Sequence, residues 1–580
     1  MKKWIYKRVN YDVEAIKNRY NITEVTAKIL LNRGFKTINE MDEYINPFKV
    51  KLTDASKILD LEKAVYVINS FIEAKEKIMI IGDYDVDGVM SSFILYSGLK
   101  AFGADVTVRL PHRVKDGYGM NKTMVDEAVE KGAKLIITCD NGISQFEAIE
   151  YAKEKGLTVV VTDHHDVPKE DGEDILVPAD VVCDCKRSDE TYPYHEMCGA
   201  GLCYRLIQYM AGKNKDYHAL LMELMVFAAI ATVCDVVPLT GDNRVIVSFG
   251  LKLINSNKVS NKGLRALIDR CEFKNGIDSY AFGFRIGPVI NAAGRLESAE
   301  DALALLMEKD EKEAYKKADK LMNLNNDRKY TTEKGTNDAK KLYEENHMEN
   351  DRVLVMYLPE CSEAVAGIVA GRIKEAYYRP VYIIVDSENC LKGSGRSIEG
   401  YHMQQELQKV KDLTIASGGH ALAAGFSLEK ENLEAFISAL KNNENMKDED
   451  LVEKIKVDVV SPITTVDEKV VKELELFKPF GASNEQIIFA DENICFHRVF
   501  LCGKENQIGR FACSKDGKEF TVVDFDVENG IKKNIIDKYD EESWTSLTMG
   551  NKEGIMMNLA YQPSISSYNN QVQYKYIDAC

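Results

Sequence analysis

The chain has 580 residues, 45% hydrophobic and 29% charged, with a formal charge of −17. That length exceeds one hydrophobic core and implies three or four domains. The acidity argues against a general nucleic-acid coat, whose affinity comes from Lys and Arg displacing counterions, but leaves room for a nuclease with a narrow basic channel. No uninterrupted run of 18 apolar residues occurs, and the basic opening Met1-Lys-Lys-Trp-Ile-Tyr lacks the apolar stretch of a signal peptide. The expectation is a cytoplasmic protein that does not touch a membrane. Thirteen cysteines without a Cys-x-x-Cys pair read as reduced, mostly buried thiols rather than a zinc site.

Residues 1–75 are expected to form an N-terminal helical extension. From Lys77 the pattern alternates. Lys77–Gly82, Val106–Leu110, Leu135–Cys139 and Val159–Thr162 read as strands, while Met90–Phe102, Met124–Lys131 and Gln145–Lys155 read as helices. Near-continuous apolar strands in a βαβ rhythm predict a mainly parallel sheet, helix-covered on both faces, over 76–297. Residues 196–270 read as helices. The Glu-, Lys- and Ala-rich stretch 298–347 reads as a helical connector, either a solvated bridge or a packed face. A second α/β unit spans 348–451. Short β-rich segments fill 452–580, where Phe511, Phe520, Phe525, Trp544, Tyr561, Tyr568, Tyr574 and Tyr576 interleave with basic residues; a small OB-like β-barrel is expected.

Chemistry concentrates at strand ends. Asp83-Tyr-Asp85-Val-Asp87-Gly88, Asp140-Asn-Gly142, Asp163-His164-His165 and Asp235 each follow a short apolar run or a helix end. Carboxylates gathered this densely repel one another, so a fold holds them together only with cations between them. An EF-hand-type calcium loop needs a longer register ending in Glu, and the strand before Asp83 contradicts it. Adjacent side chains of an extended segment point to opposite faces. His164 is therefore expected to ligate metal, and His165 to hydrogen-bond behind the ligands. Carboxylate plus imidazole suits Mn²⁺ well and Mg²⁺ acceptably. The segment Gly393-Ser394-Gly395-Arg396-Ser397 reads either as a phosphate cradle with backbone N–H groups freed by glycine or as a plain glycine-rich strand turn.

These motifs, together with Gly418-Gly419-His420, resemble the DHH phosphoesterase superfamily with a DHHA1-type second domain. Within it, the chain resembles the RecJ family of single-strand-specific 5′→3′ DNA exonucleases. Pro111-His-Arg113, Gly117-Tyr-Gly119, Gly287-Pro-Val-Ile-Asn291-Ala-Ala-Gly-Arg295, Gly367-Ile-Val-Ala370 and Lys478-Pro-Phe-Gly481 carry the likeness further. One departure stands out: many relatives have Trp-His where this chain has Cys361-Ser362, so no role is assigned there.

The resemblance implies two divalent cations, Mn²⁺ or Mg²⁺, held by Asp85, Asp87, Asp140, His164 and Asp235, with Asp140 suited to bridging; Asp83 either ligates or orients. Asp163 and His165 would orient their neighbours, and His420 would reach across the cleft to the scissile phosphate. Arg113, Ser394 and Arg396 would grip a terminal 5′-phosphate, with Gly418, Gly419, Asn291 and Arg295 as further substrate contacts. The barrel would feed single-stranded DNA in by stacking. DNA repair and recombination are the implied setting, with a helicase and a single-strand-binding protein as partners; oligomeric state stays open.

Two rivals share the motifs. A hydrolase of short oligoribonucleotides or cyclic dinucleotides would use the same metal groups but needs neither the length nor the β-rich domain. A non-catalytic replication scaffold of this fold would have lost metal ligands, which are intact here.

Overall fold

The computed structural model describes residues 2–7, 12–441, 446–551, 553–566 and 570–580, so Tyr568 lies outside the described residues. The chain forms two compact units. The larger comprises Pro47–Asn443 and Pro479–Asn484, the smaller Met1–Asn46, Glu444–Lys478 and Glu485–Cys580.

In the larger unit, five strands form an all-parallel sheet in the order Asp105–Arg109, Lys77–Ile81, Ala133–Cys139, Thr158–Asp163, Val181–Asp184. Ile78–Ile81, Leu135–Ile137 and Val159–Val161 are fully buried, as strands covered on both faces must be. The helix Val86–Ala101 packs on one face against Gly199–Ala211 and His218–Cys234. On the other face, Met124, Ile149 and Ala152 pack against Met79, Ile81 and Ile136.

The segment Lys215–Cys234 is long and apolar enough to cross a membrane by length and composition. The criterion of an uninterrupted apolar run does not register it, because His218 and Glu223 break the sequence. In the fold it is a core element: Leu224 and Val226–Thr232 are buried, and the Phe227 ring lies 4.5 Å from that of Phe93. Downstream, Phe282–Ile286 winds as a π-helix into the helix Gly287–Leu296.

Neither reading of the connector holds alone. Its main element, the 35-residue helix Glu311–Glu345, packs against Lys262–Cys271 and Gly287–Leu296, and also against Glu363–Tyr377 of the second α/β region. Gly335 permits the last approach: a Cβ there would stand 3.0 Å from Val369 and 3.1 Å from Cys361 Sγ. Ser362, at the departure from the family pattern, caps Glu363–Tyr377 by accepting from the Ala364 N–H.

The second sheet runs Ala416–Gly419, Ala423–Leu428, Leu391–Arg396, Val381–Asp386, Leu354–Tyr357, and only its last pair is parallel. This corrects the cradle reading of Gly393–Ser397. Gly393, Ser394, Gly395 and Arg396 lie in a regular strand paired on both edges, so their backbone groups serve the ladder. The glycines make room for side chains instead. A Cβ on Gly393 would collide with the Phe426 ring, and one on Gly395 would meet Met403 at 2.7 Å.

In the smaller unit, Phe489–Cys502, Ile508–Lys515, Lys518–Asp524, Val572–Ala579 and Ile555–Ile565 close into a five-stranded barrel. The expected N-terminal extension is divided. Lys3–Tyr6 is a strand paired in parallel with Lys454–Val457, and the helices up to Asn46 belong to this unit, whereas Leu61–Glu73 belongs to the larger one. Phe511, Trp544, Tyr561 and Tyr574 are buried in the barrel, so they cannot stack on a nucleic acid. Its exposed aromatics include Phe500, beneath Arg498, and Phe525, near Lys575.

Candidate metal centre

The sheet order reverses between Lys77–Ile81 and Ala133–Cys139. Open parallel sheets bind ligands in the crevice beyond such a switch point. Asp83 follows the first of these strands and Asp140 the second; Asp163 ends the neighbouring strand, and Asp235 caps the apolar helix. Local chemistry explains how each is held.

Asp85 caps Val86–Ala101, its Oδ1 accepting from the N–H groups of Asp87 (2.8 Å) and Gly88 (3.1 Å). Gly88 lets that helix start against Asp83: a Cβ there would collide with the Asp83 carbonyl. Asp87 accepts from the N–H groups of Gly199 (2.6 Å) and Ala200 (2.7 Å). Those groups open the helix Gly199–Ala211, whose positive end favours a carboxylate. Sequence reasoning missed this anchor; its signal is the run of small residues after Cys198.

Asp140 has φ of 61°, a left-handed turn that Asp tolerates better than most residues. The Asn141 side chain donates to the Ile81 and Cys139 carbonyls and accepts from the Met120 N–H, tying the strand ends together. His164 Nε2 lies 2.9 Å from Asp140 Oδ1 and 3.4 Å from Asp87 Oδ2, and Nδ1 lies 3.7 Å from Asp235 Oδ2.

The two histidines do not face opposite ways. Their ring centroids are 4.5 Å apart, because the strand ends at Asp163 and its alternation stops there. Asp163 organises both: its Oδ1 accepts from the His164 N–H and lies 2.8 Å from His165 Nδ1, while Oδ2 accepts from the Ile143 N–H. Tyr118, in a motif given no role, places its hydroxyl 3.1 Å from His165.

Ligand atoms converge in three overlapping groups, each within 4.8 Å: Asp140, His164 and His165; Asp87, His164 and Asp235; Asp83, Asp85 and Asp140. Asp140 and His164 each belong to two. Asp83 Oδ1 and His164 Nδ1 are buried without a hydrogen-bond partner, which a bound cation would supply. Electrostatics agree. Burial, then the charge of Asp85, raises Asp83 well above the carboxylate range. Burial, then Asp87, Asp85, Asp83 and Asp235, does the same to Asp140. Asp235 rises through burial, Asp87 and Asp85. Asp87 is pushed to about 6 by burial and Asp85. His164 is held near 3 by burial and by His165, which keeps its imidazole neutral and able to ligate. Burial would lower His165, but the Asp163 hydrogen bond and surrounding carboxylates raise it to about 9. Mn²⁺ or Mg²⁺ fits this donor set.

The substrate candidates form a cationic counterpart. A Cβ on Gly367 would stand 2.9 Å from an Arg396 guanidinium nitrogen and 3.3 Å from Ser394 Oγ, so both side chains lie over that glycine. Burial, then Arg113, lowers the Arg396 pKa. Burial, then Arg113, Arg328 and Arg396, brings Arg295 to about 10. Guanidinium groups that lower one another's pKa in this way call for an anion. Arg113 lies over the ring of Tyr84, inside the Asp83–Asp87 loop. Arg295 donates to the Ala364 carbonyl, and the Asn291 side-chain Oδ1 accepts from the Val86 N–H, so Asn291 steadies the acidic loop. A Cβ on Gly419 would collide with the Ala423 carbonyl, whereas Gly418 faces open space. His420 is exposed, its Nδ1 3.5 Å from Asp166 Oδ2, beside the histidine pair.

Comparisons with known proteins match this layout. Residues 77–232 match the DHH family, N-terminal domain; residues 350–445 match the DHHA1 domain; residues 457–577 match the RecJ OB domain. The single-stranded-DNA-specific exonuclease RecJ of Bacillus subtilis (strain 168) is 30% identical over 529 residues, covering 90% of this chain and 66% of that protein. The chain thus spans just under two thirds of that relative. The RecJ of Salmonella typhimurium is 33% identical over 431 residues, 70% of this chain and 72% of that protein. The crystal structure of RecJ in complex with Mn²⁺ from Thermus thermophilus superposes with a TM-score of 0.81 at 26% identity, covering all of this chain and 79% of that one. With Asp83, Asp85, Asp87, Asp140 and His164 inside the DHH match, Arg396 inside the DHHA1 match and most of the barrel inside the RecJ OB match, the chain belongs to the RecJ family of single-stranded-DNA-specific exonucleases.

Proposed function

We propose that the protein hydrolyses single-stranded DNA stepwise from the 5′ end, releasing nucleotides, with a pair of Mn²⁺ or Mg²⁺ ions as cofactor. The observation that carries this reading is the convergence of Asp83, Asp85, Asp87, Asp140, His164 and Asp235 at the switch point, with orphaned buried donor atoms among them. When bound, the two ions supply a polarised phosphate and a readily ionised water. Asp85, Asp87, Asp140, His164 and Asp235 would hold them, Asp140 belonging to two of the ligand groups. Asp163 fixes the backbone at His164 and the ring of His165. His420 contacts the scissile phosphate from the second sheet. Arg113, Ser394 and Arg396 bind the terminal 5′-phosphate, with Arg295 a further substrate contact, and that grip sets the polarity by fixing the end at one distance from the metals. Clustered ligands disfavour a non-catalytic scaffold.

We assign the catalytic work to the region up to about residue 297, followed by the connector to 347, a phosphate-binding region to 451 and the nucleic-acid-binding barrel beyond, while the expected boundary at 75 gives way to the division at Asn46. Cytoplasmic action in repair and recombination, beside a helicase and a single-strand-binding protein, follows from the same reading. The test is digestion of single-stranded DNA labelled at either end, with Asp140→Ala as control. Early release of the 5′ label, and loss of hydrolysis in the variant, are expected. Release of the 3′ label first would reject the polarity, and undiminished cleavage by the variant would reject the metal centre.

A further inference from the structure

Between the helix that carries Asp235 and the Gly287–Leu296 helix, the chain winds through the π-helix Phe282–Ile286. Such insertions cost stability and collect at functional sites. This one sorts its residues sharply. Phe282 and Ile286 are fully buried, while Tyr280 is 58% exposed and Phe284 67% exposed. The two exposed rings are stacked, with centroids 4.6 Å apart and planes 17° from parallel. Two large rings held in register outside the core form a flat surface that nothing in the described chain covers.

Its position identifies the occupant. The Cys234 thiol donates to the Phe282 carbonyl, a Cβ on Gly287 would stand 2.5 Å from Cys234 Sγ, and one on Gly283 would stand 3.6 Å from Val233. The π-helix therefore rests on the two residues immediately before Asp235. Just past Asp235, Val236 is 69% exposed and has φ of 61°, a conformation a β-branched residue adopts only under constraint. On the other side, Ser279 donates to the Phe480 carbonyl at 2.6 Å, which pins the Pro479–Asn484 segment beside Tyr280. The stacked rings thus form a ledge on the element that packs against the residues leading into Asp235.

We propose that Tyr280 and Phe284 form a stacking platform for nucleobases of the strand held at the metal centre. The inference rests on the single-strand nuclease reading and extends it. Phosphates go to the metals and the arginines, and the π-faces of the bases go to this ledge. Stacking on aromatic side chains tolerates any sequence, because every base presents a face, which suits an enzyme that consumes a strand without choosing among bases. A base inside a duplex has both faces covered by its stacked neighbours and cannot use it.

The experiment measures binding in EDTA, where no hydrolysis occurs, by fluorescence anisotropy of a 5′-phosphorylated single strand. A second strand carries abasic sites in place of its 5′-proximal bases. Wild type is compared with Tyr280→Ala/Phe284→Ala and with Phe284→Trp. The double variant should bind the ordinary strand on the order of ten-fold more weakly. It should bind the abasic strand as wild type does, and Phe284→Trp should retain affinity. In Mn²⁺, the loss should appear in KM with kcat nearly unchanged. Wild-type affinity in the double variant, or equal losses on both strands, would overturn the platform. A wild-type protein that binds the strand base-dependently yet hydrolyses nothing would overturn the nuclease reading and leave the platform standing.

Discussion

Asp87 illustrates how the site stores electrostatic cost. Its carboxyl ordinarily titrates near 3.8 and here near 6, because burial and Asp85 oppose ionisation. A folded-state pKa above the unfolded one means that the metal-free protein holds the proton more tightly than the unfolded chain. That stabilisation is complete below the ordinary value and disappears as pH rises through about 6. Asp83, Asp140 and Asp235 shift in the same direction. Divalent ions bind the ionised groups and release their protons, so affinity grows as protons leave. Added Mn²⁺ should therefore raise Tm more at about pH 7.5 than at about pH 5. Differential scanning calorimetry in EDTA and in Mn²⁺ checks this, and an equal rise at both values would mean that the ions bind elsewhere. Part of this chemistry is legible from spelling alone, since Asp83 and Asp85 precede a helix whose first turn holds Asp87, and Asp140 follows an apolar run. The orientation of the histidine pair is not, because the alternation rule fails just beyond Asp163, where the strand stops.

Among the elements, the helix Gly199–Ala211 does the most for the site while contributing no side chain to it. Its first two N–H groups hold both oxygens of Asp87. Gly199 has no room for more: a Cβ would stand 2.9 Å from Asp140 Cβ and 3.1 Å from Asp87 Oδ2. Gly199→Ala should push the helix off the ligand pair and weaken Mn²⁺ binding by roughly 10–100-fold, with the far-UV circular dichroism unchanged. Titration calorimetry reads the first and spectroscopy the second; unchanged affinity would show that the helix end is dispensable. Such a partner is hard to find in a sequence, because Gly199 and Asp87 are distant along the chain and nothing local links them. The strands are easier to read: Ile78–Ile81 and Val159–Val161 announce themselves by unbroken apolar character between turn residues. Their lateral order does not, since pairing is decided by contacts between remote segments. Gly393 and Gly395 show the opposite failure. Glycine serves a phosphate loop and a crowded strand equally well, and only the position of Phe426 tells the two apart.

The whole molecule divides along lines that the motif map does not draw. Residues up to Asn46 share a unit with the barrel, and Thr23 donates to Glu473, 450 positions away. Ile29, Leu30 and Leu31 are buried there, each worth roughly 1.5–3 kcal/mol. Deleting residues 2–46 should lower the melting transition of the smaller unit while leaving Mn²⁺ affinity within about two-fold. A parallel fall in Mn²⁺ affinity, read by titration calorimetry, would show that the metal centre depends on that segment. The barrel aromatics carry the matching lesson about scale. Phe511 and Tyr561 look like a binding surface when read singly, but a closed barrel has an interior to fill, and that is where they lie.

Among the described residues, the strand Lys3–Tyr6 finds its partner only in Lys454–Val457. A ribosome adding about 5–20 residues per second needs roughly 20–90 s to cover that interval. Throughout that time the amino-terminal segment has an unsatisfied edge and uncovered leucines, a natural client for a chaperone, whereas the last ligand of the acidic crevice, Asp235, is synthesised about midway through it.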